Sequence, residues 1–285
     1  CAIVTGVQTC ALPIWHVVGA SVAMTFGLYY LVTAKATPLW FRLMVFLATF
    51  WHMLIADAKQ VLFAFLVGWL LLMLTKIKQF GKALQYAIAA VISGGILVWC
   101  IENWEAFAGF KTWLRPEIYG PEGEATLLKT VTFRIVPQYY DSFLHPWLGL
   151  GPGHTVGRLG GWMLGIYSDL LEPLGATQHP ASREVWQAVG ASWLGDQSSM
   201  FSPLFGWAGI WGDLGILGLI AYLYLAYVVW SRLSPGDLCR FLLLSVFVTG
   251  MIISQMEEPG YMLFIAFIIG LRWQEDRIKK KRKYY

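Results

Sequence analysis

Three glycines and two histidines stand close together near the middle of the chain, in the string His145-Pro146-Trp147-Leu148-Gly149-Leu150-Gly151-Pro152-Gly153-His154. The glycines allow sharp backbone turns, and successive N–H groups in such a turn can point at a phosphate. His145 and His154 can exchange a proton near neutral pH. The alternative is structural: a tight turn fixed by Pro146 and Pro152, in which each histidine only makes hydrogen bonds.

The chain that must position these residues is mostly apolar. It has 57% hydrophobic and 13% charged residues and a mean hydropathy of +0.57, a balance too apolar for a soluble domain. Apolar runs near the length of a membrane-crossing helix occupy residues 15–33, 38–56, 60–75, 84–101, 207–230, 239–255 and 260–273. The sequence therefore predicts an all-α fold, a polytopic transmembrane helical bundle with roughly seven spans.

Lysine and arginine occupy every second short connection between these runs. Basic short loops tend to stay in the cytoplasm, so the net charge of +4 is a topology signal and no nucleic acid partner is expected. The connection at 76–82 and the basic tail are predicted to be cytoplasmic. The long segment 102–206 and the turn at 257–260 are then predicted to lie on the opposite side, the long segment as a large, partly helical extracytoplasmic loop.

The predicted organisation divides the chain into five parts. Residues 1–14 resemble a translated sequencing-adapter sequence, so we exclude them from the fold and expect further spans in the natural protein before residue 15. Transmembrane helices follow at 15–101, the loop at 102–206, further transmembrane helices at 207–273 and the basic cytoplasmic tail at 274–285. The four cysteines have no C-x-x-C spacing, and therefore predict neither a metal site nor a disulfide framework.

Within the loop, residues 102–115 space four aromatic side chains three positions apart. This pattern predicts a helix lying in the membrane interface with its aromatic edge toward lipid. Ser182 is a candidate N-cap for a second helix, and residues 160–171 form a third candidate.

After the loop, glycines recur at every third position, at 206, 209, 212, 215 and 218. Such a stripe permits close approach by another helix, and a channel for a lipid phosphate is the alternative.

Two strings resemble signatures of one membrane-protein family. The first is the string from His145 to His154, preceded by Phe133-Arg134, which is similar to the hPllGvGpG signature of the O-antigen ligase and O-antigen polymerase family. The second, Gly212-Asp213-Leu214-Gly215-Ile216-Leu217-Gly218-Leu219, is similar to the E-x-G-i-x-G-l helix start of that family. The order and separation of the two strings also match, and the resemblance covers residues 130 to 230.

The resemblance implies a membrane glycosyltransferase of the bacterial inner (plasma) membrane, which joins glycans carried on polyprenyl diphosphate during surface polysaccharide synthesis. An acceptor hydroxyl attacks the anomeric carbon and the lipid diphosphate leaves, so the site needs a base and cations. The implied partners are a polyprenyl-diphosphate-linked glycan, membrane lipid and polysaccharide assembly proteins. No metal and no nucleotide cofactor is implied.

Arginine suits the diphosphate because its guanidinium donates two parallel hydrogen bonds. Arg134 matches the arginine that the family places before the first string, while Arg158 and Arg183 are positional candidates, and Gly149, Gly151 and Gly153 are the candidate phosphate turn. A solvated or headgroup-facing charge is the alternative for each arginine. The candidate catalytic residues are His145, His154 and Asp213; His179 is the remaining loop histidine, and Asp196 is a further acidic candidate.

The sequence departs from the family pattern at one position. Ligases of the family carry a histidine shortly before the second string, and here that stretch, Ser198-Ser199-Met200-Phe201-Ser202-Pro203-Leu204, has none. The departure favours a polymerase over a ligase.

Two alternatives remain: a transporter or flippase for a lipid or glycan, and a non-catalytic assembly subunit of the same family. Ion-coupled transport usually requires ionisable residues inside the spans. In this sequence the ionisable residues lie almost entirely at the ends of the spans.

Overall fold

A computed structural model of the chain describes residues 15–76, 80–107, 109–157, 160–197 and 199–282. Residues 1–14, Arg158 and Ser198 lie outside this part of the chain. Within it the regular structure is helical and contains no strand. The α-helices are α1 (Trp15–Thr33), α2 (Leu39–Ile55), α3 (Lys59–Leu74), α4 (Phe80–Asn103), α5 (Gly109–Trp113), α6 (Glu124–Ile135), α7 (His145–Leu148), α8 (Gly161–Leu171), α9 (Pro180–Gly190), α10 (Trp193–Gln197), α11 (Gly206–Val228), α12 (Asp237–Gly250) and α13 (Pro259–Arg282).

Three stretches of the described chain are long and apolar enough to cross a membrane: His16–Thr33, Leu84–Asn103 and Gly206–Leu233. The other predicted spans give shorter or more polar helices. α2 and α3 have 17 and 16 residues, and α12 has 14. At 1.5 Å per residue a helix of that size is about 21 to 26 Å long, below the roughly 30 Å of a bilayer core. α13 continues without a break into the predicted basic tail.

The chain forms two compact units. Of the residues that the structure describes, the first contains those from 15 to 114, 230–248 and 259–282. Here α3 and α12 approach closely, since a Cβ added to Gly68 would lie 2.6 Å from Oγ of Ser245. Lys76, which is 6% exposed, forms an ion pair with Asp237 at 2.5 Å, and the Tyr86 hydroxyl donates to the same carboxylate at 2.9 Å. This network joins the connection after α3 and the α4 residue Tyr86 to the start of α12.

The prediction of an interfacial helix at 102–115 is wrong. α4 ends at Asn103, a single 3₁₀ turn follows at Glu105–Phe107, and α5 is only five residues long. Phe107 is 1% exposed, and it forms an apolar cluster with Phe110, Cys100 and Ile101. Because a spacing of three places side chains on one face whether that face meets lipid or protein, the pattern alone did not distinguish the two.

The second unit contains residues 115–229 and 249–258. α6 buries one face, with Leu128, Val131 and Ile135 in the interior. α9 begins at Pro180, and its N-cap is His179, whose side chain accepts a hydrogen bond from the backbone N–H of Ala181. Ser182, the predicted cap, instead lies within the helix and is buried. The predicted helix at 160–171 corresponds to α8.

Candidate functional site

The two strings that carry the family resemblance are hydrogen-bonded to each other. α11 is interrupted at Gly215, which has φ 66° and ψ −165°, and carbonyl groups on the preceding turn are thereby released from helical bonding. The N–H groups of Leu150 and Gly151 donate to the carbonyls of Gly212 and Asp213 at 2.9 and 3.0 Å. The turn that follows α7 is therefore docked directly on the break in α11.

Glycine is required on both sides of this contact. A Cβ added to Gly149, which has φ 77°, would lie 2.3 Å from the backbone of Asp213. A Cβ added to Gly215 would lie 2.3 Å from the backbone of Trp147. Since no side chain tolerates such distances to backbone atoms, these two positions explain why the strings are rich in glycine.

Asp213 is the polar anchor of the docked turn. Its side chain is buried, at 8% exposure, and its carboxylate accepts from the backbone N–H groups of Gly153 at 2.7 Å and Thr155 at 2.9 Å. The Thr155 hydroxyl donates to the same carboxylate. A buried carboxylate is stable only with such donors, so Asp213 holds the turn in place and its oxygens are already engaged.

The backbone N–H groups of the glycine turn are also engaged within the protein. The N–H of Gly149 donates to the His145 carbonyl at 2.7 Å, and those of Gly151 and Gly153 donate to Asp213. None of these three groups is directed at a ligand. The geometry therefore corresponds to the structural alternative for this turn, in which the glycines permit docking.

The glycine stripe of α11 has a similar explanation, but its partner is not another helix. Cβ atoms added to Gly209 and Gly212 would lie 2.9 Å from Cα of Gly157 and 2.5 Å from Oγ1 of Thr155. At Gly206 the neighbour is Met256, at 3.0 Å. The stripe thus accommodates the irregular segment at 155–157 and Met256 of the connection at 249–258.

Two loop histidines, His154 and His179, are separate in sequence and are in contact in the structure. The rings of His154 and His179 stack with centroids 5.2 Å apart. The Tyr139 ring meets His179 edge-on at 5.6 Å, and its hydroxyl donates to Glu184 at 2.7 Å. Burial lowers the pKa of His179, and the neighbouring His154 lowers it further. The group places a titratable pair beside the docked turn.

The hydrogen bonds made by Nδ1 differ among the rings of His145, His154 and His179. Nδ1 of His154 lies 2.7 Å from the Leu150 carbonyl; since a carbonyl only accepts, this nitrogen carries the hydrogen and the neutral ring has its lone pair on Nε2. Nδ1 of His145 accepts from the N–H of Asp141 at 3.0 Å, and Nδ1 of His179 accepts from Ala181 at 3.1 Å. Only His154 can therefore take a proton without losing a hydrogen bond at Nδ1.

The two candidate arginines that the structure describes lie at the surface. Arg134 is exposed near the end of α6, and its Nη2 donates to the Leu127 carbonyl at 2.7 Å. Arg183 is exposed on α9, and Arg158 lies outside the described residues. Both described arginines are accessible to a ligand at the surface.

Lys129 is a half-buried lysine that the sequence patterns did not indicate. Its ammonium donates to the carbonyls of Ser202 at 2.8 Å and Ile252 at 2.9 Å and lies 4.6 Å from the centre of the Phe205 ring. Burial lowers its pKa to about 7. The signal was its spacing, because Ala125, Leu128, Lys129 and Thr132 share one face of α6.

No family model, curated protein or solved structure matches the chain. Over the residues that the structure describes, no group of three or more His, Cys, Asp or Glu side chains is arranged to hold a metal ion.

Proposed function

We propose that this chain is a membrane glycosyltransferase of the O-antigen polymerase type, which joins glycans carried on polyprenyl diphosphate during surface polysaccharide synthesis. The proposal rests on the two family-like strings. The observation that supports it most directly is their mutual docking, with Leu150 and Gly151 bonded to the break in α11. Strings about 60 residues apart that act in one site must meet in this way.

The chemistry proposed for the site uses His154 as general base. Its Nε2 lone pair accepts the proton of an acceptor hydroxyl while that oxygen attacks the anomeric carbon of the donor glycan. The bond between the anomeric carbon and the diphosphate oxygen breaks, and the polyprenyl diphosphate leaves with the electron pair. Arg134, Arg158 and Arg183 remain the candidate cations for the diphosphate.

The site must lie at headgroup depth, because withdrawing each CH₂ of a polyprenyl chain from lipid costs about 0.8 kcal/mol. Exposed apolar side chains of the second unit suit that depth. Phe143 is 82% exposed and Trp147 50% exposed beside the docked turn, and Leu217 on α11 is also 50% exposed. We propose that these side chains contact lipid where the loop joins α11.

We also propose the full topology: a seven-span bundle in the inner membrane with the C-terminus in the cytoplasm and the loop outside. Two observations support it. The ion pair of Lys76 with Asp237 joins two connections that basic residues assign to the cytoplasm. The loop from residue 115 onward and residues 257 and 258 of the turn at 257–260, all assigned to the outside, belong to one compact unit.

Cysteine labelling tests the topology. With the native cysteines replaced, an impermeant maleimide added to intact cells is expected to label Gly123→Cys and not Lys280→Cys. Labelling of the second variant without the first would reverse the proposed orientation.

Reconstitution tests the activity. The full chain in liposomes, supplied with polyprenyl-diphosphate glycans, is expected to give longer lipid-linked chains, seen as a ladder on gels. A flippase would move the lipid-linked glycan across the bilayer at unchanged chain length. An assembly subunit would do neither, and either outcome contradicts the proposal.

A further inference from the structure

We infer that His179 is a positioning residue for His154: it caps α9 through Nδ1, and its ring stacks on the His154 imidazole and so fixes the direction of Nε2 in that ring. The role in catalysis rests on the proposed function. The positioning itself does not, and it can be measured separately.

The His179 ring is held from two sides. The hydrogen bond from Ala181 fixes one edge at the N-terminus of α9, an eleven-residue helix. The Tyr139 ring lies against it, and Tyr139 is itself tied to Glu184 of the same helix. A rotation of His179 would therefore cost the cap of α9 and the contact with Tyr139.

The His154 ring is held in turn. Its Nδ1–H is bonded to Leu150 in the docked turn, and its face is covered by His179 at an interplanar angle of 27°. One hydrogen bond leaves an imidazole free to swing about the bonded nitrogen, whereas a hydrogen bond and a stacked neighbour together define the plane. The direction of the Nε2 lone pair is thus set by both contacts.

The cap also opposes protonation of His179. A protonated His179 carries a hydrogen on Nδ1 and cannot accept from Ala181, and a cation at a helix N-terminus is unfavourable. Protonation of His179 would therefore cost the cap of α9. The charged and titratable groups that act on this pair are His145, Asp141, Tyr139, Glu184 and Asp213.

Two substitutions separate the cap from the stacked ring. His179→Asn retains a side-chain oxygen that caps a helix well but removes the ring. His179→Phe retains an aromatic ring over His154 but removes the cap. If the ring positions His154, Asn should lower kcat of chain extension by about tenfold, as misplacement of a reacting group does, with little change in KM or melting temperature. Phe should lower the melting temperature and keep kcat within about threefold of the original.

A wild-type kcat in His179→Asn, or equal losses of kcat in both variants, would overturn the inference. NMR relaxation of the histidine-labelled full chain gives a readout that needs no substrate, since the chain has only five histidines to assign. The His154 imidazole is expected to be equally ordered in the unchanged chain and in His179→Phe, and to have a lower order parameter in His179→Asn, where one hydrogen bond alone holds the ring. Equal order of the His154 ring in all three proteins contradicts positioning, whether or not the protein extends glycans.

Discussion

Each compact unit contains a lysine that is partly or fully buried, and the charges of the two lysines are stabilised in different ways. Lys76 in the first unit faces the carboxylate of Asp237, so its charge is compensated. Lys129 in the second unit is bonded to two backbone carbonyls and lies over an aromatic ring. An ion pair joins two helix ends at any moderate pH, whereas a cation held only by dipoles is costly to keep charged.

The two units also differ in the kind of contacts that stabilise them. The first is built from apolar helix contacts such as the cluster around Phe107. The second depends on buried polar groups and on glycines in close backbone contact, with Asp213 at the centre. Burying polar groups costs desolvation free energy, and buried polar networks are retained where they fix a geometry. The proposed chemistry lies in this second unit.

The largest difference between the units is expected from adding a methyl group to a glycine. Gly215→Ala forces a Cβ to 2.3 Å from the backbone of Trp147 at a positive φ, and we expect a loss of about 4 kcal/mol or more. Gly95→Ala in α4 meets nothing within 4 Å, and it should be neutral or stabilise the helix by up to about 1 kcal/mol. Thermal unfolding in detergent measures both. Equal changes in stability for the two variants would contradict the closer backbone packing assigned to the second unit.

The next largest difference in stability is expected from removing the carboxylates of Asp213 and Asp237. Asp213→Ala leaves two backbone N–H groups and the Thr155 hydroxyl without their acceptor, and we expect a loss of about 3 kcal/mol. Asp237→Ala leaves the Lys76 ammonium, whose side chain is 7% exposed, without its counter-ion. Because the long lysine side chain can turn toward water or lose its proton, we expect a smaller loss, about 1–2 kcal/mol. Denaturant unfolding compares the two. A larger loss at Asp237 would show that the first unit depends more on buried polar groups.

A smaller effect is expected from pH. The folded state lowers the pKa of Lys129 from 10.5 to about 7, so between these values the unfolded chain holds a proton that the folded chain lacks. Stability therefore rises with pH across that window and is lowest below pH 7. Lys129→Met should flatten the rise, and Lys280→Met, which alters an exposed lysine, should preserve it. Melting temperatures from pH 6 to 10 give the comparison; an unchanged rise in Lys129→Met contradicts the assignment.

The sequence could predict the helices but not their contacts. Apolar runs indicated α1, α4 and α11 because hydrophobic length is local information. The role of the glycines at 149 and 215 depends on two segments that meet only in the fold, and the stacking of His154 on His179 joins residues 25 positions apart. The aromatic pattern at 102–115 gave a wrong prediction of an interfacial helix, because periodicity identifies an apolar face without identifying what covers that face. Lys129 was missed because a single lysine in a mixed helix resembles a surface residue.

The assignment of His154 as the general base is tested by replacing His154 and, separately, His145 with asparagine. Asparagine can reproduce the Nδ1 hydrogen bond of each ring, as donor at His154 and as acceptor at His145, while removing Nε2. In liposomes with polyprenyl-diphosphate glycans, His154→Asn is expected to lower kcat of chain extension by about 10²- to 10⁴-fold, the usual contribution of a general base. His145→Asn should stay within about threefold of the unchanged chain. Full activity in His154→Asn, or an equal loss in both variants, would contradict the assignment of His154 as the base of this site.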